Sequence, residues 1–404
     1  MRILHLTADY PDPVVRDKTQ AIANLLKLAP AHDHRVCSLN RSDWRARLTS
    51  QTFRDQVSDS NRALRYPAPP KGILHQHFLH RLADWIAADC DRSGFRPDAI
   101  HAHKLTIEGI AGHALAQRLG IPLIISAQGN TDLKLVTARP DLRPVFRQIW
   151  HSASIAFPFA PWTHDRLDRL LGQRTLPTIP LPCPGPADDL MAPTHAPPVI
   201  RTAFHLRDHA NKNAERLIRA IGLVASQAPP VVLEIIGGGD DRARTTLQRL
   251  ADRYAPGHVR FRGKVAHDDM QGLMNTCAAF ALVSHRESFG MVFSEALLAG
   301  APCLIPAGRA IDGYLPEGDV TISAPPQNTQ AIADGLLRLL RDQTQFKARL
   351  RAHQTDGKLD FLRRDAIART YQQALAAVAD TPVNEREPKR HHLPLASTTI
   401  LIPA

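Results

Sequence analysis

Short β-rich runs alternate with longer helical patterns along almost the whole chain, and nothing else in the sequence limits its possible folds so strongly. Candidate strands fall at 2–7, 34–39, 98–102, 122–127, 154–159, 200–206, 231–236, 258–262, 279–283, 302–306 and 319–323. Helical patterns lie between them, at 104–119, 211–227, 241–254, 266–276 and 291–299 among others. Parallel neighbours cannot be joined by a hairpin, and the helix that carries the chain back also covers one face of the sheet. The alternation therefore predicts an α/β protein whose parallel sheets are covered on both faces. Eleven strands fit two such sheets better than one.

A boundary between two sheets can be placed. Residues 176–198 (LPTIPLPCPGPADDLMAPTHAPP) hold eight of the 32 prolines and show no strand or helix period, as a semi-rigid linker would. The 404 residues then divide into a Rossmann-like half at 1–180, a Pro-rich linker at 181–198 and a second half at 199–358. Residues 359–378 (LDFLRRDAIARTYQQALAAV) read as one long amphipathic helix. The tail at 381–404, with its NEREPKRHHLP run, is expected to be disordered. Residues 41–92 show no clear strand. They carry Arg41, Arg45, Arg47, Arg54, Arg62, Arg65, Lys71 and Arg81 among Trp44, Phe53, Tyr66, Phe78 and Trp85. Two readings fit: a pair of solvated surface helices, or a basic amphipathic patch that meets an anionic membrane or acceptor.

The formal net charge of +11 favours anionic partners such as phosphates, nucleic acid or a membrane surface. No aromatic and basic module of known spacing appears, so nucleic acid is not expected. The five cysteines lack CxxC spacing, and Cys277 and Cys303 sit in apolar runs. Buried free thiols in a reducing compartment are the expectation, in place of disulfides or a structural zinc site. The opening run is cut by His5 and Asp9, which suits a first strand and not a signal segment, and no stretch approaches 18 uninterrupted apolar residues. A soluble, cytoplasmic protein is expected.

The stretch that carries most chemistry is Ser284-His-Arg-Glu287-Ser288-Phe289-Gly290-Met291-Val292-Phe293-Ser-Glu295-Ala-Leu-Leu-Ala-Gly300, between two apolar strands. The first strand ends at Ser284, a loop holds Glu287, and Gly290 lets the backbone turn into a helix. The N–H groups around 289–292 then lack intrahelical acceptors, and the positive end of the helix dipole faces the loop. Such a helix start suits a phosphate. Carboxylates on either side of it, Glu287 in the loop and Glu295 along the helix, suit a ligand with hydroxyls at both ends and phosphate between them. A nucleotide sugar is such a ligand. Arg207 and Lys212 follow the first strand of the second half, at the sheet edge where open α/β folds bind ligands, and two cations there could neutralise a diphosphate. Gly237-Gly238-Gly239-Asp240 follows the next strand. A nicotinamide fingerprint fails there, because its third glycine would be Arg242. Either a close approach to a ligand or a simple tight turn would explain Gly237 and Gly239.

In the first half, His101-Ala-His103-Lys104 and Gln128-Gly129-Asn130-Thr131-Asp132 also follow strands. His101 and His103 share a strand face, but no third ligand at metal-site spacing completes a metal centre, so no metal is expected. A role in contacting acceptor hydroxyls is open to both clusters.

On these residues the second half resembles the retaining glycosyltransferases of family 4, which have the GT-B fold of two facing Rossmann-like domains. Glu287-Ser-Phe-Gly-Met-Val-Phe-Ser-Glu295 is similar to that family's E-x7-E element, and Arg207 and Lys212 to its Arg and Lys pair. The resemblance runs from about 199 to 325 and is weaker over 98–132. It implies that Glu295 holds the ribose, and that Glu287 contacts the donor sugar near Ser288, Phe289, Gly290, Met291 and Val292. Arg207 and Lys212 would stabilise the diphosphate beside Gly237 and Gly239, and His103, Gln128, Gly129 and Asn130 would face the acceptor. It further implies transfer from a nucleotide sugar, the co-substrate, to a glycan or lipid-linked acceptor with retained configuration. No bound cofactor or metal is implied, and the helix at 359–378 would return to the first half. The chain departs from the family at Asp9-Tyr10-Pro11, where a glycine-rich loop is usual, at Gln128, where a His is usual, and at Leu206, where a Gly usually precedes the Arg. The first two departures motivate an alternative, a non-catalytic nucleotide-sugar-binding subunit of a transferase complex.

Overall fold

The computed structural model describes residues 1–69, 72–185, 188–228 and 230–380. Lys71 and the tail at 381–404 lie outside the described residues.

The first half alternates β1 (Arg2–Thr7), α1 (Ala21–Lys27), β2 (Asp33–Ser42), β3 (Thr49–Phe53), β4 (Asn61–Pro67), α2 (His75–Arg92), β5 (Ala99–Ala102), α3 (Ile107–Leu119), β6 (Leu123–Ala127), α4 (Gly129–Ala138), α5 (Arg143–Ser152), β7 (Ile155–Pro158) and α6 (Pro161–Leu171). Its seven strands lie in the order β3-β4-β2-β1-β5-β6-β7, parallel except for the antiparallel β3–β4 pair. The second half runs β8 (Val199–Ala203), α7 (Ala214–Ala225), β9 (Val232–Ile236), α8 (Asp241–Tyr254), β10 (Val259–Gly263), α9 (His267–Asn275), β11 (Ala279–Ala281), α10 (Met291–Leu298), β12 (Cys303–Pro306), β13 (Thr321–Ala324), α11 (Thr329–Arg341), α12 (Gln343–Thr355) and α13 (Arg364–Asp380). Its six-stranded sheet has the order β10-β9-β8-β11-β12-β13. All eleven expected strands are present. Central strands such as β5 and β6 are buried along their whole length, as strands covered on both faces must be.

The reading of 41–92 as strandless is corrected. A hairpin, β3 and β4, forms the sheet edge there, and one helix, α2, follows it in place of two. β3 (TSQTF) is almost wholly exposed and has a single neighbour, so water solvates both faces and no apolar alternation is needed. Several of the region's arginines hold the fold: Arg62 pairs with Asp89 at 2.9 Å, and Arg41 donates to the carbonyls of Ala68 and Pro69. Trp44 stays half-exposed beneath the Arg45 guanidinium.

The proline-rich stretch is tied to both halves. Ile179 and Leu181 donate their N–H groups to Ala156 and Pro158 beside β7, and the Met191 N–H donates to Leu298 at the end of α10. A single-turn 3₁₀ helix at Asp360–Leu362 precedes α13, so the expected single helix is broken at Arg363. α13 places Ile367, Tyr371, Leu375 and Val378 on one face, and they pack on Ile3, Leu25, Ala99, Ile124 and Phe157 of the first half. Each such burial is worth roughly 1.5–3 kcal/mol, enough to hold the returning helix in place.

Candidate active site at the facing sheet edges

In an open parallel sheet, the crevice forms where adjacent strands send their helices to opposite faces. In the second half this point lies between β8 and β11. The loops after these strands, 204–213 and 282–290, are therefore brought together by topology alone. Asn213, in the left-handed region at φ 58°, donates its amide to the carbonyls of Val283 and Pro326. The His285 N–H donates to Asn211, and the Asn211 amide to Arg286. Laced in this way, Lys212 Nζ donates to Glu287 Oε2 at 2.6 Å, and Ser284 Oγ donates to the same oxygen at 3.3 Å.

Gly290 sits at φ 74° and opens α10, and no side chain caps the helix start. Met291 and Val292 there are half-buried, Ser288 likewise, and Phe289 is buried edge-on against Tyr314. Glu295 lies one turn inside α10 at 8% exposure, and burial pushes its carboxyl up to about 7. A buried carboxyl with no ion-pair partner among the described residues has oxygens that can accept hydrogen bonds from hydroxyls.

Arg207 stands on a 3₁₀ turn, and its Nε donates to Asp240 at 2.9 Å with most of the side chain in solvent. Both glycines of the 237–239 turn are explained by this loop. A Cβ on Gly237 would lie 1.9 Å from the Phe204 carbonyl oxygen, and one on Gly239 would lie 2.5 Å from Leu206 Cβ. Leu206 is buried against Gly239, and Asp240 both caps α8 through the Ala243 N–H and receives Arg207. The glycine turn thus builds the seat of Arg207.

The first half has its crevice between β1 and β5, and its ionic groups there pair with one another. Lys104 Nζ lies 2.7 Å from Asp9 and 3.1 Å from Glu108, and Glu108 also accepts the Ala8 N–H. Burial works against the charge of Lys104, yet Glu108 and Asp9 raise its pKa. Gln128 donates its amide to Asp9 at 2.9 Å. Asp132 is fully buried, which pushes it up to about 6, and it accepts the N–H groups of Thr106 and Gln128. Gly129 allows the Trp162 ring to lie where a Cβ would stand, 2.1 Å from it, and Asn130 is half-buried.

His103 is corrected: it does not face the cleft. It is fully buried with His5, His34 and His101. The two-residue spacing shows two imidazoles, and the parallel register of β1 with β2 and β5 adds the others. The tautomers follow from one carbonyl. His34 Nε2 must donate to Ala29 O, so its Nδ1 accepts from His5 Nε2 at 2.9 Å, and His5 Nδ1 accepts from His103 Nε2 at 3.1 Å. His101 bonds to Ser126 and to Tyr371 of α13. Of the six nitrogens of His5, His101 and His103, one from each ring lies within 4.8 Å of the other two, so His5 supplies the third candidate metal ligand that the strand spacing did not show. Five of these six nitrogens have hydrogen-bond partners, and His103 Nδ1 has none. Burial lowers the pKa of all three, which suits neutral rings.

The two crevices face each other. The Trp162 indole N–H donates to Ala310 O at 2.9 Å, and Tyr314 Oη donates to Phe159 O at 3.0 Å. Cys183 lies between the halves, where burial pushes its thiol up to about 12 and the charges of both Asp9 and Glu287 add to the shift. The spacing Trp162, Asp165, Arg166 and Arg169, one face of α6, was a helical signal that the motif reading passed over.

Comparison with known proteins gives this geometry a family context. Residues 201–356 match the family model described as Glycosyl transferases group 1. The mannosylfructose-phosphate synthase of Agrobacterium fabrum is 25% identical over 299 residues, which cover 64% of this chain and 65% of that protein. The chain therefore spans just under two thirds of this relative's length. Among solved structures, sucrose-phosphate synthase from Thermosynechococcus elongatus shares the fold with a TM-score of 0.67 at 19% identity, covering 93% of this chain and all of that one. Anabaena HepE, solved in complex with UDP, does so with a TM-score of 0.67 at 16% identity over the same shares. The fold is the expected GT-B arrangement of parallel α/β sheets, and residues 201–356 are the stretch similar to the group 1 glycosyltransferases.

Proposed function

With the similarity of residues 201–356 to the group 1 glycosyltransferases as the premise, we propose that the protein is a nucleotide-sugar-dependent, retaining transferase of family 4. It moves a hexosyl unit to a glycan or lipid-linked acceptor in bacterial polysaccharide or envelope assembly, at the cytoplasmic side of an anionic membrane. The observation that carries this is the β8–β11 crevice, where the Lys212–Glu287 pair stands beside an uncapped helix start and the buried Glu295. The diphosphate would lie at the start of α10, its charge met by helix N–H groups, Lys212 and Arg207. Glu295 would accept the ribose hydroxyls, and Glu287 would orient the sugar whose bond breaks. Solvent-exposed Arg207 can swing from Asp240 to a phosphate at little cost. Among the described residues no helix is long and apolar enough to cross a membrane, so membrane contact would be peripheral.

The test is a thermal-shift panel of UDP, GDP, ADP and their sugar conjugates on the purified protein. One nucleoside diphosphate at about 100 times its dissociation constant should add about 2.7 kcal/mol of stability. Glu295→Gln should weaken that nucleotide about tenfold to a hundredfold, the worth of one charge-assisted hydrogen bond. Undiminished binding would remove Glu295 from the ribose. Donor binding with neither transfer nor slow donor hydrolysis would favour the non-catalytic subunit, which the Asp9–Gln128 pairing in place of a glycine loop and a His motivates.

A further inference from the structure

A second polar site lies where α6 meets the loop after β12. Trp162, Asp165, Arg166 and Arg169 stand at i, i+3, i+4 and i+7, so they share one face of α6. With Ala307, Gly308 and Arg309 of the other half they line a cavity of about 350 Å³. Arg309 is fixed: its Nε donates to His285 O at 2.8 Å and its Nη1 to Ala307 O at 3.0 Å, which leaves three of its five donors over.

The charge of this cavity is unbalanced. Many arginines of the protein have a carboxylate within 4 Å, as in Arg62–Asp89, Arg118–Asp84, Arg207–Asp240 and Arg219–Glu215. No ion pair of Arg166, Arg169 or Arg309 occurs among the described residues. Asp165 is the single acid in the lining, exposed on α6, and its backbone carbonyl accepts Arg169 Nε. Burial and the neighbouring charge of Arg166 lower the Arg309 pKa, so two guanidiniums from opposite halves repel one another across an open space. Like charges kept this close are stabilised by an anion that bridges them. A carboxylate carries one charge for three guanidinium groups. A phosphate monoester carries nearly two, with three acceptor oxygens, and matches their planar forks.

We propose that this cavity binds a phosphate group borne by the acceptor, held between Arg166 and Arg169 of one half and Arg309 of the other. The volume accommodates a phosphorylated monosaccharide or the phosphate end of a larger ligand. The site also reaches the reaction centre through one short loop: Arg309 is anchored on His285, and the Ala310 N–H donates to Glu287 O. Identifying the ligand as the acceptor rests on the transferase reading; the phosphate site itself does not.

The test uses the full chain at low ionic strength, as wild type, as the double variant Arg166→Gln/Arg169→Gln, and as the charge-matched control Arg244→Gln/Arg249→Gln on exposed positions of α8. Calorimetric titrations with glucose 6-phosphate, glucose and inorganic phosphate are set beside sedimentation with phosphatidic acid vesicles, whose headgroup is a phosphate monoester. Glucose 6-phosphate should bind while glucose does not, with at least a tenfold loss in the double variant and none in the control. Vesicle binding lost only in the double variant, without glucose 6-phosphate binding, would equally support the proposal and make the phosphate lipid-borne. Inorganic phosphate as the single ligand bound would mark an adventitious anion site and overturn it. So would binding that the double variant leaves undiminished, or no binding at all. A nucleoside diphosphate shift, run on all three proteins, reports folding and tests the transferase reading separately.

Discussion

The two halves place their crevices at the same topological point, between β1 and β5 in one sheet and β8 and β11 in the other, yet build them oppositely. In the first, ionic groups are packed away. Glu108 is fully buried and Lys104 nearly so, and they close on each other and on Asp9. In the second, Lys212 and Glu287 keep about a fifth of their side chains in solvent, and Arg207 keeps two thirds. A closed network holds a loop in one shape, while an open one leaves charge to meet a ligand. On the proposed reading the same fold position serves stability on one side and binding on the other, and substitutions can separate the two.

The largest effect is expected at Lys104→Ala. Removing the cation strands Glu108, whose Oε2 already has no partner among the described residues, in a fully buried site. Breaking a buried pair by deleting one member costs about 3–5 kcal/mol. Urea denaturation should show that loss, and adding Glu108→Gln should recover part of it. A loss below about 1 kcal/mol would mean that the first crevice is as open as the second.

Glu295 is the exception within the open crevice, and pH exposes it. Its folded carboxyl titrates near 7 because of burial, whereas an unfolded glutamate titrates near about 4.3. Between these values the folded state holds more protons than the unfolded one, so stability falls as pH rises through the window. Glu295→Gln should therefore raise stability at pH 8 by up to about 3–4 kcal/mol, and the gain should vanish below about pH 4.3. On the proposed reading the same variant loses nucleotide affinity, so stability and binding should move in opposite directions. A loss of stability at pH 8 in place of the gain would place the carboxylate in contact with a cation.

Arg207→Ala should separate binding from folding most cleanly. Its partner Asp240 is exposed and keeps its cap on α8, so stability should change by no more than about 0.5 kcal/mol. Affinity for the nucleoside diphosphate should fall about tenfold to a hundredfold in titration calorimetry. An equal loss of stability would make Arg207 a structural residue.

How far the sequence could be read tracks how local each contact is. The strands were legible because apolar runs and the turns between them are local patterns, and so was the loop from Glu287 to Gly290. β3 escaped because an edge strand in water needs no pattern. The Lys104–Glu108 pair had a visible signal, the i, i+4 spacing at the start of α3, whereas its third member, Asp9, lies in the loop after β1. His5 and His34 join His101 only through strand register, which no spacing encodes. Arg309 meets Arg166 across two halves whose contact depends on Trp162 and Tyr314.

The histidine cluster gives the smallest and most discriminating test of what a closed network is worth. The chain from Ala29 through His34 and His5 to His103 is directional, since its first acceptor is a carbonyl, so each tautomer depends on the one before. His101 is not bound in this way. Ser126 and Tyr371 each carry a hydroxyl that can donate or accept, so either tautomer satisfies both nitrogens. Tyr371→Phe removes one hydroxyl, and the imidazole can respond by placing its proton on Nε2, toward Ser126. What remains buried is then a bare acceptor lone pair and not a stranded N–H. Stranded groups cost about 1–3 kcal/mol, and this one belongs at the low end, near about 1 kcal/mol, with α13 still docked through its apolar face. A loss above about 3 kcal/mol in thermal or urea unfolding would show instead that the hydroxyl sets the tautomer of the whole cluster, and that His101 is wired to the chain beside it.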